Sequence, residues 1–180
     1  MKKFKTTLLA LSLFLGGSAF AQNEFISTWQ TDNAGTSSST EITIPTDAST
    51  YLYDVDWDND GTFDEIGITG DVTHDFGAAG MYTIRIQGTF PSIYFNDAGD
   101  KAKFLSVDQW GTIAWSSFDS SFKGCSNMNV VATDAPVLTA VTSLNAMFEN
   151  CTSLDADFSS WDVSSITNAT DQRRFVLFHN

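Results

Sequence analysis

Basic residues are scarce in this chain: 9 Lys and Arg stand against 22 Asp and Glu, for a formal charge of −13. Nucleic acid and anionic lipid both need cationic contacts, so neither is an expected partner. Histidine is almost missing as well. His74 and His179 are the only two. Neither has a Cys or Asp at metal-ligand spacing, which leaves no histidine-built metal site. There is no HExxH, no glycine-rich phosphate loop and no Ser/His/Asp arrangement. Carboxylates are plentiful, but none is marked out as half of a glycosidase pair. The expectation is a protein that is not an enzyme. After residue 21 no run approaches the about 18 apolar residues that a membrane span requires.

The N-terminus has a different composition. Lys2, Lys3 and Lys5 precede an apolar run from Leu8 to Leu15, and Ala19-Phe20-Ala21 forms a small-x-small site before Gln22. That is the layout of a secretory signal peptide over residues 1–21, too short in its apolar part to span a bilayer. No cysteine lies near the cleavage site to accept a lipid anchor. The expected location is outside the cytoplasm, secreted or at the cell surface. Cleavage removes three lysines and no acid, leaving 6 basic against 22 acidic residues, a charge of −16.

Residues 25–31, 41–45, 51–57, 71–76 and 81–87 are short runs of strand composition, most of them alternating apolar and polar with period two. Gly, Asn and Asp turns separate them. Strands of this kind, with no helical periodicity between them, predict an antiparallel β-sandwich over residues 22–95. Inside this region lies the chain's most suggestive cluster, Asp56, Asp58, Asp60, Asp64 and Glu65 around Gly61. Carboxylates at alternate positions about a glycine turn can wrap a hard cation such as calcium. The spacing starts like an EF-hand loop, but Gly67 stands where the bidentate Glu belongs. The other reading is an Asp/Asn/Gly hairpin turn whose side chains bond their own backbone.

These residues resemble a PKD-like domain. The carriers are Trp57-Asp58-Asn59-Asp60-Gly61, then Thr73-His74-Asp75-Phe76, Gly80 and Tyr82-Thr83-Ile84. Phe76 stands where that family has tyrosine and Ala79 where it has proline. The resemblance implies an immunoglobulin-like sandwich.

The second half repeats itself. Trp115, Phe118, Phe122, Cys125 and Met128 recur 26 residues later as Val141, Leu144, Phe148, Cys151 and Leu154, and a third copy opens with Ile166 and Ala169. A period in the twenties marks a solenoid, whose units bury apolar faces against their neighbours. Phe118, Phe122, Leu144, Met147 and Phe148 have the spacing of core residues on helical turns. Exposed residues between core positions, such as Asp134, Asp157 and Trp161, are the recognition candidates. Cys125 and Cys151 fall at equivalent positions, where two readings stay open. One is a disulfide closing a 25-residue loop, worth about 3 kcal/mol. The other is a ladder of two small buried thiols.

Val141-Thr142-Ser143-Leu144, Met147-Phe148-Glu149-Asn150-Cys151, Leu154, and Phe158 through Trp161-Asp162-Val163-Ser164 to Ile166-Thr167-Asn168 resemble the BspA-type leucine-rich repeat surface proteins. The resemblance implies an exported bacterial protein that works in adhesion or surface contact. The expected fold is mainly β with some α: an immunoglobulin/PKD-like β-sandwich over 22–95, a joint and cap over 96–114, and a short, truncated leucine-rich repeat solenoid over 115–171. Residues 172–180 form an atypical tail in which Gln172-Arg173-Arg174 replaces the expected apolar positions. The expected partner is an extracellular protein or glycan, with self-association through the open end of the array. A calcium-dependent carbohydrate-binding module is the alternative. Expression in a secreting bacterium should release a chain whose N-terminal sequence begins at Gln22. An unprocessed chain would remove the export expectation.

Overall fold

A computed structural model describes residues 23–170. The leader over 1–21 and the tail over 172–180, with His179 and the Phe175–Phe178 run, lie outside them. Among the described residues the regular structure is entirely β. The strands are β1 (Phe25–Gln30), β2 (Glu41–Ile44), β3 (Leu52–Asp56), β4 (Glu65–Ile68), β5 (Val72–Asp75), β6 (Met81–Thr89), β7 (Phe104–Gln109) and β8 (Asn129–Val130). A six-stranded sheet runs β4-β3-β6-β1-β7-β8, and β2 and β5 form a second sheet of two. All pairings are antiparallel except β7 with β8, which is parallel.

Period-two alternation gives β1 its place in the middle of the sheet. Phe25, Ser27 and Trp29 are buried, while Ile26, Thr28 and Gln30 point to the other face. Trp29 packs edge-on to Phe104 at 4.9 Å, and Phe25 edge-on to Trp115 at 5.2 Å. Ile42 and Ile44 of β2 are fully buried in the same core, which continues through Trp110 and Phe118 to Leu154 and Trp161. Thus β1 is paired to β6 on one side and to β7 on the other. The division read from sequence at residue 95 therefore falls inside one sheet and one apolar core. β4 escapes sequence reading because Glu65, Ile66 and Gly67 are exposed at the sheet edge and carry no alternation.

Beyond the sheet the chain stacks turn upon turn. The N–H groups of Ser120, Phe122 and Gly124 donate forward to the carbonyls of Asn145, Met147 and Glu149, and those of Leu144 and Ala146 to Asn168 and Thr170. The intervening N–H groups of Ser121, Lys123 and Cys125 instead close tight turns onto Phe118, Ser120 and Phe122. An α-helix needs every donor to bond four residues back. Here alternate donors leave for the next turn, so the expected helical content is absent among the described residues. Positive φ at Ser120, Ala146 and Asn150 marks the same departure from the helix. Phe95 and Asp97 donate in the same way to Ser121 and Lys123. Residues 95–101 thus form a turn of the stack one step ahead of the first copy visible in sequence.

The near end of this stack is tied to the two-stranded sheet by a buried polar hub. Lys103 is 1% exposed, and its ammonium donates to the carbonyls of Ser37, Ser38 and Glu41 and to the Ser37 hydroxyl at 2.7–3.2 Å. Asp100, also 1% exposed, accepts from the N–H groups of Thr36, Ser37 and Thr43 and from the Ser37 hydroxyl at 2.6–3.0 Å. A Cβ on Gly35 would collide with both side chains, which is why that turn carries glycine. Burial alone would raise the Asp100 pKa, but these donors and Lys103 hold it below its ordinary 3.8. A depressed folded-state value means that its stabilisation is complete above pH about 4 and is lost as pH falls through that lower value. Asp100→Ala leaves Lys103 buried without its carboxylate. It should cost about 3–5 kcal/mol in urea unfolding at pH 7, and the loss should shrink as the medium is acidified.

Candidate functional site

The acidic loop leaves the sheet at the end of β3 and returns to it as β4. The ligand oxygens of Asp56, Asp58 and Asp64 come within 4.8 Å of one another, Asp56 buried and the other two exposed. Asp60 and Glu65 are not part of that group. Asp60 accepts from the Thr62 N–H at 2.7 Å, and Glu65 accepts from the Trp57 indole N–H at 3.3 Å. Much of the carboxylate capacity serves the loop itself. Asp56 accepts from the Asp60 and Gly61 N–H groups at 3.2 and 2.8 Å, and Asp64 accepts from the Trp57 N–H at 2.8 Å. These are the backbone-directed bonds of an Asx-rich turn.

A cation of the protein's own already sits under the loop. Arg85 on β6 is 5% exposed, lies 3.7 Å from the Asp56 carboxylate and donates twice to the Asn59 side-chain carbonyl at 2.8 and 2.9 Å. Asn59 holds positive φ to present that oxygen. Lost hydration raises the Asp58 pKa from its ordinary 3.8, opposed by the hydrogen bond from the Asp60 backbone and reinforced by the charges of Asp60, Asp64 and Asp56. The loop therefore offers three convergent carboxylates, one of them already balanced by a guanidinium.

The two halves of the PKD-like pattern meet beside this loop. Trp57 stacks on His74 at 4.4 Å, His74 meets Phe76 edge-on at 4.6 Å, and Phe76 stacks on Tyr82 at 3.9 Å. Burial lowers the His74 pKa, opposed by the Glu65 and Asp64 carboxylates. His74 is a packing element of this ring column rather than a ligand.

The recognition candidates of the repeats separate into different roles. Trp161 was expected to be exposed, but it is only 7% exposed and packs edge-on to Trp110 at 5.3 Å and to Phe158 at 4.8 Å. Trp110, far away in sequence at the exit of β7, packs over it, which a single repeat read alone does not show. Asp134 accepts from the N–H groups of Trp110 and Gly111 at 3.1 and 2.8 Å and so ties the repeats to β7's exit. Gly111 has positive φ, and a Cβ there would strike the Asn23 and Glu24 carbonyls. Asp157 is exposed and caps its own turn through the Ser159 N–H at 2.8 Å.

Cys125 and Cys151 are both buried free thiols. The Cys151 thiol donates to the Phe122 carbonyl at 3.0 Å. Phe122 and Phe148, also equivalent, stack at 5.6 Å. Burial pushes the Cys151 thiol up to about 12 and the Cys125 thiol up as well, the latter further raised by Cys151. Thiolate is the reactive form. Both thiols should therefore resist a thiol reagent at pH 8 in the native protein and titrate as two in urea. A disulfide would give none in either condition.

Residues 92–174 match a family model described as Mycoplasma protein of unknown function, DUF285. The match begins at the segment that supplies the first stacked turn and runs through the copies visible in sequence. No curated protein and no solved structure matches the chain.

Proposed function

We propose that this is a non-catalytic, exported surface module for adhesion or protein–protein contact. On this reading an immunoglobulin-like, PKD-like sandwich is joined to a short BspA-type leucine-rich repeat array. One observation carries the reading. The apolar side chains that define the first two copies of the repeat, from Phe118 and Phe122 through Leu144 and Phe148 to Leu154, are buried. The repeated residues build a scaffold, and contact falls to the exposed side chains set between them. Broad surfaces on stacked repeats suit binding of a macromolecule. The match over residues 92–174 supports a family built on this repeat and leaves its activity open. The expected export and surface location follow from the leader-like N-terminus, and among the described residues no helix is long and apolar enough to cross a membrane.

Calcium-dependent glycan binding is the second reading, favoured by the convergence of Asp56, Asp58 and Asp64. Calcium binding to the native state alone stabilises by mass action, about 2.7 kcal/mol at a hundredfold excess over Kd. The Arg85 pairing weakens this case, so the unfolding midpoint should be the same in millimolar calcium and in chelator. A calcium-dependent rise would promote the loop to a metal site. Beads coated with the folded protein should be retained on immobilised extracellular matrix protein several-fold above beads carrying the heat-unfolded chain. Equal retention would remove the adhesion reading, and release of product from a glycan or peptide substrate would remove the non-catalytic one.

A further inference from the structure

A groove runs between the two-stranded sheet and the stacked turns. A cleft of about 610 Å³ between the loop after β2 and the turn at Ser117 to Asp119 continues past Tyr94 and Thr46 into one of about 310 Å³. Asp47, Asp71 and Asp119 line it, together with Asp100, whose charge Lys103 already meets. Among the described residues no Lys, Arg or His lines either part.

The three acids are held in place through one oxygen. The Oδ1 of Asp71 accepts from the N–H and hydroxyl of Thr46, each at 2.7 Å. That of Asp119 accepts from the Asn145 N–H at 3.1 Å and from the Ser143 hydroxyl. That of Asp47 accepts from the Ser49 N–H at 2.7 Å and from the Tyr51 hydroxyl at 2.9 Å. Hydrogen bonding within the described residues leaves Oδ2 of Asp71 and Asp119 over. Tyr94, on the wall shared by both parts, is half-buried. Its N–H is anchored to the Pro45 carbonyl at 3.2 Å, while its hydroxyl bonds to nothing and its ring stacks on no other ring among the described residues. The groove is thus an acceptor-rich channel with a half-buried tyrosine on its wall, on a chain of charge −13.

We propose that this groove receives an arginine or lysine side chain from a basic segment of a partner protein. The cation lies on the Tyr94 ring and is flanked by Asp71 and Asp119. Guanidinium and ammonium groups only donate, which matches a lining that offers carboxylates without a cation. They are attracted to an aromatic face, and the net negative field steers them inward. A cationic side chain meets these carboxylates with charge of the opposite sign, which a neutral sugar does not. The proposal rests on the reading of the protein as a contact module and supplies the chemistry of its partner.

The test is an NMR titration of the full chain with acetyl-Gly-Arg-Gly-amide, with the citrulline analogue and cellohexaose as neutral controls. The arginine peptide should shift the amides of Thr46–Ser49, Tyr94–Asn96 and Ser117–Asp119 in a saturating manner, and neither control should. Tyr94→Ala should weaken binding about two- to fivefold, the range of an exposed cation–π contact, and Tyr94→Phe should leave it near the native value. Asp71→Asn should weaken it while leaving the rest of the spectrum native. Shifts spread over the acidic surface without following these residues would overturn the proposal. So would equal shifts from citrulline or cellohexaose, or unchanged affinity in a natively folded Tyr94→Ala. This readout does not use adhesion: bead retention without peptide binding sinks the groove alone, and peptide binding without retention sinks the adhesion reading alone.

Discussion

An ammonium and a carboxylate shut away from water have to find every partner inside the protein, and Lys103 and Asp100 do so by gathering one loop. The carbonyls of Ser37, Ser38 and Glu41 and the N–H groups of Thr36, Ser37 and Thr43 converge on these two side chains. A buried charge without its partners is costly enough to unfold a domain of ordinary stability. The loop between β1 and β2 therefore has little freedom to be anywhere else. Through it the two-stranded sheet is brought over the first turn of the stack, where Pro45 meets the Tyr94 N–H. The groove along Tyr94 exists because the hub holds its two walls in register.

The same region covers one end of the stacked turns. Stacked units need a neighbour on each side or a cap. Here the near end is covered by strands of the two sheets, and the stack begins inside the region that also supplies β7, a strand of the large sheet. Trp110 and Trp115 fill the junction, packed against Phe25, Phe118 and Phe122 with ring centroids 4.8–6.2 Å apart. Their indole N–H groups find no acceptor among the described residues. An unmet buried donor costs about 1–3 kcal/mol, so these rings are held there by shape and area, which aromatic residues supply in quantity.

The acidic surface has two local forms with different consequences. In the loop from Asp56 to Glu65 the carboxylates are turned onto their own backbone and onto Arg85, and the charge is largely answered from within. Along the Tyr94 groove Asp71 and Asp119 also anchor backbone or hydroxyl donors, yet each keeps one oxygen without a hydrogen bond, and among the described residues no cation lines the groove. The denser cluster is the more visible one in a sequence, but the sparser one is left with unanswered charge.

Much was legible in the residues themselves. Period two in residues 25–31 and 81–87 placed β1 and β6, since side-chain alternation on a strand follows from backbone geometry alone. The recurrence of Phe122-Cys125 as Phe148-Cys151 marked stacked units, because equivalent residues must meet equivalent neighbours. The coincidence of Asp56, Asp58 and Asp64 could also be read from spacing, being local. What sequence could not decide was every contact that joins distant segments. Arg85 lies 29 positions from Asp56 and gives no sign that it underlies that loop. Residues 95–101 lack the repeat's apolar signature, so only the forward hydrogen bonds of Phe95 and Asp97 show them to be a turn of the stack. Trp161 looks like an exposed aromatic until Trp110, 51 positions earlier, packs against it. Local geometry is set by each residue's own preferences and period. Burial, charge pairing and the groove arise where chain segments far apart in sequence exclude water from one another, and only the tertiary structure decides which segments those are.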